Sequence, residues 1–194
     1  MRFHPVLLSL LILALAPVAC QRRRAHEWPV IGAARDGDAV RLEQLLKEGA
    51  DPNTRAGVNQ WTALMHAIHK GQEGSVRVLI AHQADLNAAG PGGMTPLMMA
   101  AGYGYANIVR LLLKAGANPL LATPDGANAL TAAVGGTADI DRFTVGKCQT
   151  ETVRALLEAA PDLRIANNLR GHAAILTAKL AGCREVVNLI RRSR

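Results

Sequence analysis

Between Pro91 and Gly116 the apolar positions change from a turn pattern to a helical one. Pro91, Gly92 and Gly93 predict a turn, Thr95 a helix cap, and Pro96 a first helical position, where its missing N–H does no harm. Ala100 and Ala101 are small, as the close approach of a neighbouring helix requires, and Gly104 allows a reversal into a second helix. Ile108, Val109, Leu112 and Leu113 then follow helical spacing on one face, and Gly116 supplies the left-handed residue that ends the helix. One such helix pair cannot bury its apolar face alone.

The unit recurs at a period of 33 to 34 residues. GMTPLMMAAGYGYANIVRLLLKAGANP (Gly93 to Pro119) is preceded by QWTALMHAIHKGQEGSVRVLIAHQADLN (Gln60 to Asn87). Before that comes the divergent WPVIGAARDGDAVRLEQLLKEGADPN (Trp28 to Asn53). The inter-helix glycines Gly37, Gly71 and Gly104 keep the period, and so do the helix-end positions Gly49, Gln83 and Gly116. The best copy resembles the ankyrin consensus G-x-T-P-L-H-x-A-A-x-x-G followed by V-x-x-L-L-x-x-G-A-x-x-N. The resemblance implies an all-α fold, an ankyrin-repeat solenoid of about five helix-turn-helix repeats linked by β-turn or hairpin loops. Its stability would be nearly a sum of nearest-neighbour terms.

The repeats are expected at about 27–55, 56–89, 90–122, 123–166 and 167–192. In the fourth, PDGANALTAAVGG and TVRALLEAAPDLR are separated by eleven extra residues, Thr137 to Lys147 (TADIDRFTVGK). The fifth is degenerate, with Gly182 at the inter-helix position, and is expected to cap the stack. The family's T-P-L-H histidine is replaced by Met65, Met98, Thr131 and Leu176, so its usual bonds at the turn are absent.

Composition narrows the interior and the partner class. Only six residues are Phe, Trp or Tyr, so the core must be built from Leu, Ala, Val and Ile. The formal charge of +7 suggests nucleic acid until its location is considered. Arg2, Arg22, Arg23, Arg24, Arg191, Arg192 and Arg194 are seven of the 22 basic residues, and the fifteen that remain match fifteen acidic ones. A neutral body with basic ends and few aromatics lacks a phosphate-tracking stripe and stacking platforms, so no nucleic-acid partner is expected.

Residues 1–20 read as an export signal. The apolar run from Val6 to Ala19 would cover about 21 Å as a helix, short of a roughly 30 Å hydrocarbon core. Cys20 after Ala19 resembles the junction of a bacterial lipoprotein signal, whose cysteine takes lipid and anchors the chain to the membrane. Pro17 stands where such signals usually carry Leu, so ordinary cleavage near Ala19 is the other reading. Residues 21–26 form a basic linker, whose arginines oppose translocation of the chain on their C-terminal side. The chain is expected in the periplasm or, if lipidated, on the outer membrane.

Catalytic and metal chemistry find little support in the residue pattern. His66 and His69 sit three apart on one predicted helix but lack a third ligand in register, and Asp139 and Asp141 lack the rest of a calcium loop. No catalytic triad or phosphate-cradling glycine loop is present, so neither an enzyme nor a cofactor or small-molecule substrate is expected. Cys148 and Cys183 both lie just before a second helix of adjacent repeats. In an oxidising compartment they are candidates for a disulfide, the alternative being two free thiols.

Partners of the family dock on the concave side, on turn tips and the exposed face of each first helix. By register this implies Asn59, Trp61, Met94, Ala127, Arg170 and His172 at the tips, with Arg35, Asp36, His69, Lys70 and Tyr103 on the first helices. Trp61 is the leading candidate, since tryptophan is enriched at interface hot spots; packing against the next turn is its other reading. Phe143 in the insertion either contacts a partner or covers the fourth repeat. The implied function is a protein–protein interaction module: a non-catalytic adaptor or inhibitor of the cell envelope. Family members there include accessory factors for oxidative-stress enzymes such as catalase, and immunity proteins. A structural envelope lipoprotein held through Cys20 is the alternative.

Overall fold

The computed structural model describes residues 29–136, 147–165 and 167–192. The apolar run, Cys20, the basic linker and Phe143 lie outside them. A first helix, α1, occupies 29–36. It is followed by α2 (Ala39–Lys47), α3 (Ala63–Lys70), α4 (Glu73–Ala81), α5 (Pro96–Tyr103), α6 (Ala106–Lys114), α7 (Ala129–Gly135), α8 (Thr150–Ala159), α9 (Leu169–Leu180) and α10 (Arg184–Arg192). An antiparallel hairpin, β1 (Arg55–Ala56) and β2 (Trp61–Thr62), leads into α3, and a single 3-10 turn at Pro91–Gly93 leads towards α5. Among the described residues no helix is long and apolar enough to cross a membrane.

The helices form two rows. Helices α3, α5, α7 and α9 pack side by side in an inner row, and α2, α4, α6, α8 and α10 in an outer row. Every residue of α5 is buried, because α3 and α7 flank it and α6 backs it. The outer helices are apolar on one face only: Leu46, Leu79, Leu112 and Leu156 point inward and are at most 7 % exposed. This row of leucines continues through the fourth repeat.

Local chemistry sets the helix starts. The Thr62 and Thr95 hydroxyls accept from the N–H of Met65 and Met98 at 3.2 and 3.3 Å, and the Asn128 and Asn168 amide oxygens accept from Thr131 and Gly171 at 3.0 and 2.9 Å. These caps hold the turns despite the absent T-P-L-H histidine. Reversals depend on glycine where the next repeat presses in. Gly37 has φ 82°, and a Cβ there would stand 2.5 Å from Oε1 of Gln72. At Gly71, with φ 73°, the intruder is the Tyr105 ring at 3.2 Å. Gln72, Tyr105 and Gln149 all cap outer helices, so each outer helix begins over the preceding repeat's reversal. Gln83 adopts φ 58°, the conformation Gly49 and Gly116 adopt at the same place in their repeats. A non-glycine residue there costs about 1 kcal/mol.

Side chains also join one repeat to the next. The Asn53 Oδ1 accepts from the Asp85 N–H at 2.7 Å, and Asn87 does the same for Asn118 at 2.9 Å. The interval from inner-helix cap to outer-helix cap is ten residues in Thr62–Gln72 and Thr95–Tyr105 but 21 in Asn128–Gln149. Most of the difference falls on 137–146, outside the described residues. Beyond it, Cys148 and Cys183 are bonded through their sulfurs, with Cα atoms 5.2 Å apart.

One expectation about the fifth repeat is corrected. Counting back from Gly182 puts the turn glycine at Gly171 and the start of the inner helix near Ala174, but Asn168 caps the helix and α9 starts five residues earlier, at Leu169. Arg170 and His172 therefore sit in the first turn of α9, not at a turn tip.

Candidate functional site

The hairpin and the inner row together assemble an aromatic cluster. Trp61 pairs with Ala56 across the hairpin and precedes the cap Thr62, so its ring is set against the first turns of α3. Helical spacing turns His66 and His69 towards it. The indole lies 5.6 Å from the His66 ring at 64° and 5.2 Å from the His69 ring at 56°. One repeat later, Tyr103 meets His69 edge-on at 5.6 Å, with its hydroxyl 2.8 Å from His69 Nδ1. Tyr105 continues the series 5.7 Å beyond Tyr103. Contacts of this geometry contribute about 0.5–1.5 kcal/mol each beyond the area they bury.

The cluster changes the status of several residues singled out above. Trp61 is half-buried against the core rather than exposed at a tip. Tyr103, expected on the open face of its helix, is 8 % exposed, because its ring is wedged between His69 and Tyr105. Ala127 is buried beneath the turn closed by the Thr123 N–H donating to its carbonyl at 2.8 Å. Arg170 reaches across to the Asp125 carboxylate, and Asn168 donates to the Asp125 carbonyl at 2.6 Å. The Thr123 hydroxyl, and after it Arg170, holds the Asp125 carboxyl below its ordinary range.

The remaining residues are available to solvent. Arg35 and Asp36 are exposed at the end of α1 and pair with each other at 2.8 Å. Asn59 is exposed at the hairpin tip, Met94 is 39 % exposed at the next one, Lys70 is half-buried at the end of α3, and His172 is exposed on α9. Sequence reasoning missed Val58, fully exposed beside Asn59, although an apolar residue inside a Gly-Val-Asn-Gln turn is itself a signal. It also missed the part His66 plays in the cluster. Among the described residues no group of three His, Cys, Asp or Glu side chains is placed to hold a metal ion.

His66 carries a pH dependence. Burial pushes its imidazole below the ordinary value of 6.5, and the nearby His69 and Arg35 charges act in the same direction. Its Nε2–H donates to the Ala56 carbonyl at 3.4 Å, which opposes the shift only partly. The folded state thus favours neutral His66, and the unfolded chain takes up the proton first as pH falls. Stability is complete above the unfolded pKa and is lost as pH drops below it. The melting temperature is expected to fall between about pH 7.5 and pH 5.5, and to fall less in His66→Gln.

A family model for ankyrin repeats, in three copies, matches residues 30–123. A putative ankyrin repeat-containing protein of Treponema pallidum is 35 % identical over 98 residues, half of this chain and 33 % of that protein. The 2-5A-dependent ribonuclease of mouse is 38 % identical over 71 residues, 37 % of this chain and 10 % of that protein. The chain thus spans a third or less of the length of these relatives. Ankyrin repeats mark a protein–protein interaction module and are in general non-catalytic. The match places ankyrin repeats over residues 30–123, and with the capped helix pairs and the two packed rows the fold is an all-α solenoid of such repeats.

Proposed function

We propose that this chain is a non-catalytic adaptor or inhibitor of the cell envelope that captures a protein partner on its inner face. The observation that carries this reading is the ordered series Trp61, His69, Tyr103 and Tyr105, joined by the 2.8 Å contact between His69 and the Tyr103 hydroxyl. Side chains fixed before binding lose little rotamer freedom on docking, and a half-buried tryptophan in such a setting is a typical hot spot. Asn59 at the hairpin tip, Arg35 and Asp36 at the end of α1 and Lys70 at the end of α3 form a polar rim, and Met94 adds an apolar contact at the next turn. Phe143 and His172 are further contacts on this reading. The apolar run before Cys20 supports export, and so does the Cys148–Cys183 bond, since disulfides persist in oxidising compartments.

Affinity capture from an envelope fraction, with wild type and Trp61→Ala side by side, tests the proposal. Trp61→Ala is expected to weaken capture by about 2 kcal/mol or more. Its circular dichroism spectrum should stay native at the temperature of the experiment. Equal recovery of the same partners by both proteins removes the inner face from consideration.

A further inference from the structure

The repeat that closes the described stack leaves bare the surface that every interior repeat buries. Met65, Met98 and Thr131 are 0, 4 and 3 % exposed, whereas Leu176, which matches Met65 and Met98 when counted back from the reversals at Gly71, Gly104 and Gly182, is 55 % exposed. One residue earlier, Leu64, Leu97 and Leu130 are at most 1 % exposed, whereas Ile175 is half-buried. Leu169 and Leu180, at 86 and 80 % exposed, extend the same stripe, since 169, 176 and 180 share one helix face. Gly171, Ala174 and Ala178 on the opposite face are buried, in a helix that packs against α7. Helix α9 therefore has two apolar faces, as α5 has, and only one neighbour in its row. A groove between α9 and α10, lined by Ile175, Val187 and Ile190, continues the bare surface.

Charge selects the occupant. Lys179 and Arg191 line that groove, and Arg184, three residues before Val187, faces the same way. Among the described residues none of these three cations has a carboxylate partner. Helix α9 contains no acidic residue, and the single one in α10, Glu185, receives Arg154 of α8 at 2.6 Å. A second copy docked symmetrically would set the cations against their own kind. We infer that this end of the solenoid docks an acidic amphipathic helix of a partner protein, which takes the place of the next inner helix and sets carboxylates against Lys179, Arg184 and Arg191.

The full chain would be titrated into a fluorescein-labelled synthetic helix with leucines at helical spacing and glutamates elsewhere, read by anisotropy. Saturable binding is expected, weakened about tenfold or more in Leu176→Ser/Leu180→Ser, the loss typical of removing apolar anchors. Lys179→Glu/Arg191→Glu should weaken it comparably and, being confined to exposed charge, leaves the fold intact. Trp61→Ala should leave it unchanged, which separates this surface from the inner face. The inference is overturned if no saturable binding occurs, or if a peptide with lysines in place of the glutamates binds equally well. It is also overturned if the leucine pair instead controls cosedimentation with phosphatidylglycerol vesicles or dissolves a dimer seen by sedimentation equilibrium.

Discussion

Leu112→Ala is expected to cost about 3 kcal/mol of folding stability, the usual range for a fully buried leucine cut to alanine. Leu112 is completely buried on α6, and α6 packs against α4 on one side, α8 on the other and α5 behind. Its surroundings are held by three helices and cannot collapse readily into the vacated volume. In a stack whose repeats contact only their neighbours, loosening α6 weakens two interfaces at once, whereas the same loss at Ile190 of α10 weakens one. The melting temperature of Leu112→Ala should fall by about 6–12 °C, with the transition broadening as the two halves of the stack lose their coupling. A loss below about 1 kcal/mol would mean that α6 is not held between two neighbours.

Most of this core could be read from periodicity, because one face of each outer helix must be apolar and the spacing of Leu46, Leu79, Leu112 and Leu156 records it. The reversals were equally legible, since a left-handed residue pressed by the next repeat has to be glycine. Features that depend on contact between non-adjacent segments were not. Ser75 is fully buried on the inward face of α4, with a hydroxyl that has no hydrogen-bond partner among the described residues; the repeat places it where Ile108 stands, but a serine carries no apolar signal of its own. His66 and His69, without a third ligand, read as structural or surface residues and no more, because their spacing specifies a shared side, not what lies there; the hairpin supplies Trp61. Tyr103 was expected to face solvent because register gives direction without giving the neighbouring repeat's side chains. In α9 the early cap at Asn168 adds five residues to the start that a register counted from Gly182 gives, and brings Leu169 onto the bare face.

Breaking the Cys148–Cys183 bond is expected to act on one end of the molecule. The two cysteines are 35 residues apart in sequence, and a loop of that size contributes about 4 kcal/mol in the chain-entropy account of disulfides. Cys148 lies just before α8 and Cys183 just before α10, so the bond joins the starts of two neighbouring outer helices. The α9–α10 pair needs that bond more than an interior pair would. It has a neighbour on one side only, and much of its apolar surface, Leu169, Leu176 and Leu180, packs against nothing within the described stack. In Cys148→Ser/Cys183→Ser, or after reduction, amide exchange in α9 and α10 should accelerate by orders of magnitude while α3 to α6 remain protected. This contrast reflects the nearest-neighbour character of the fold: a cross-link between the fourth and fifth repeats has no direct means of steadying the second and third. Uniform acceleration across the stack would show that the repeats unfold as one unit, and unchanged exchange in α9 and α10 would show that packing against α7 and α8 is sufficient. If the terminal pair does loosen, the end surface proposed for an acidic helix is ordered only where the disulfide survives, which ties that surface to an oxidising compartment.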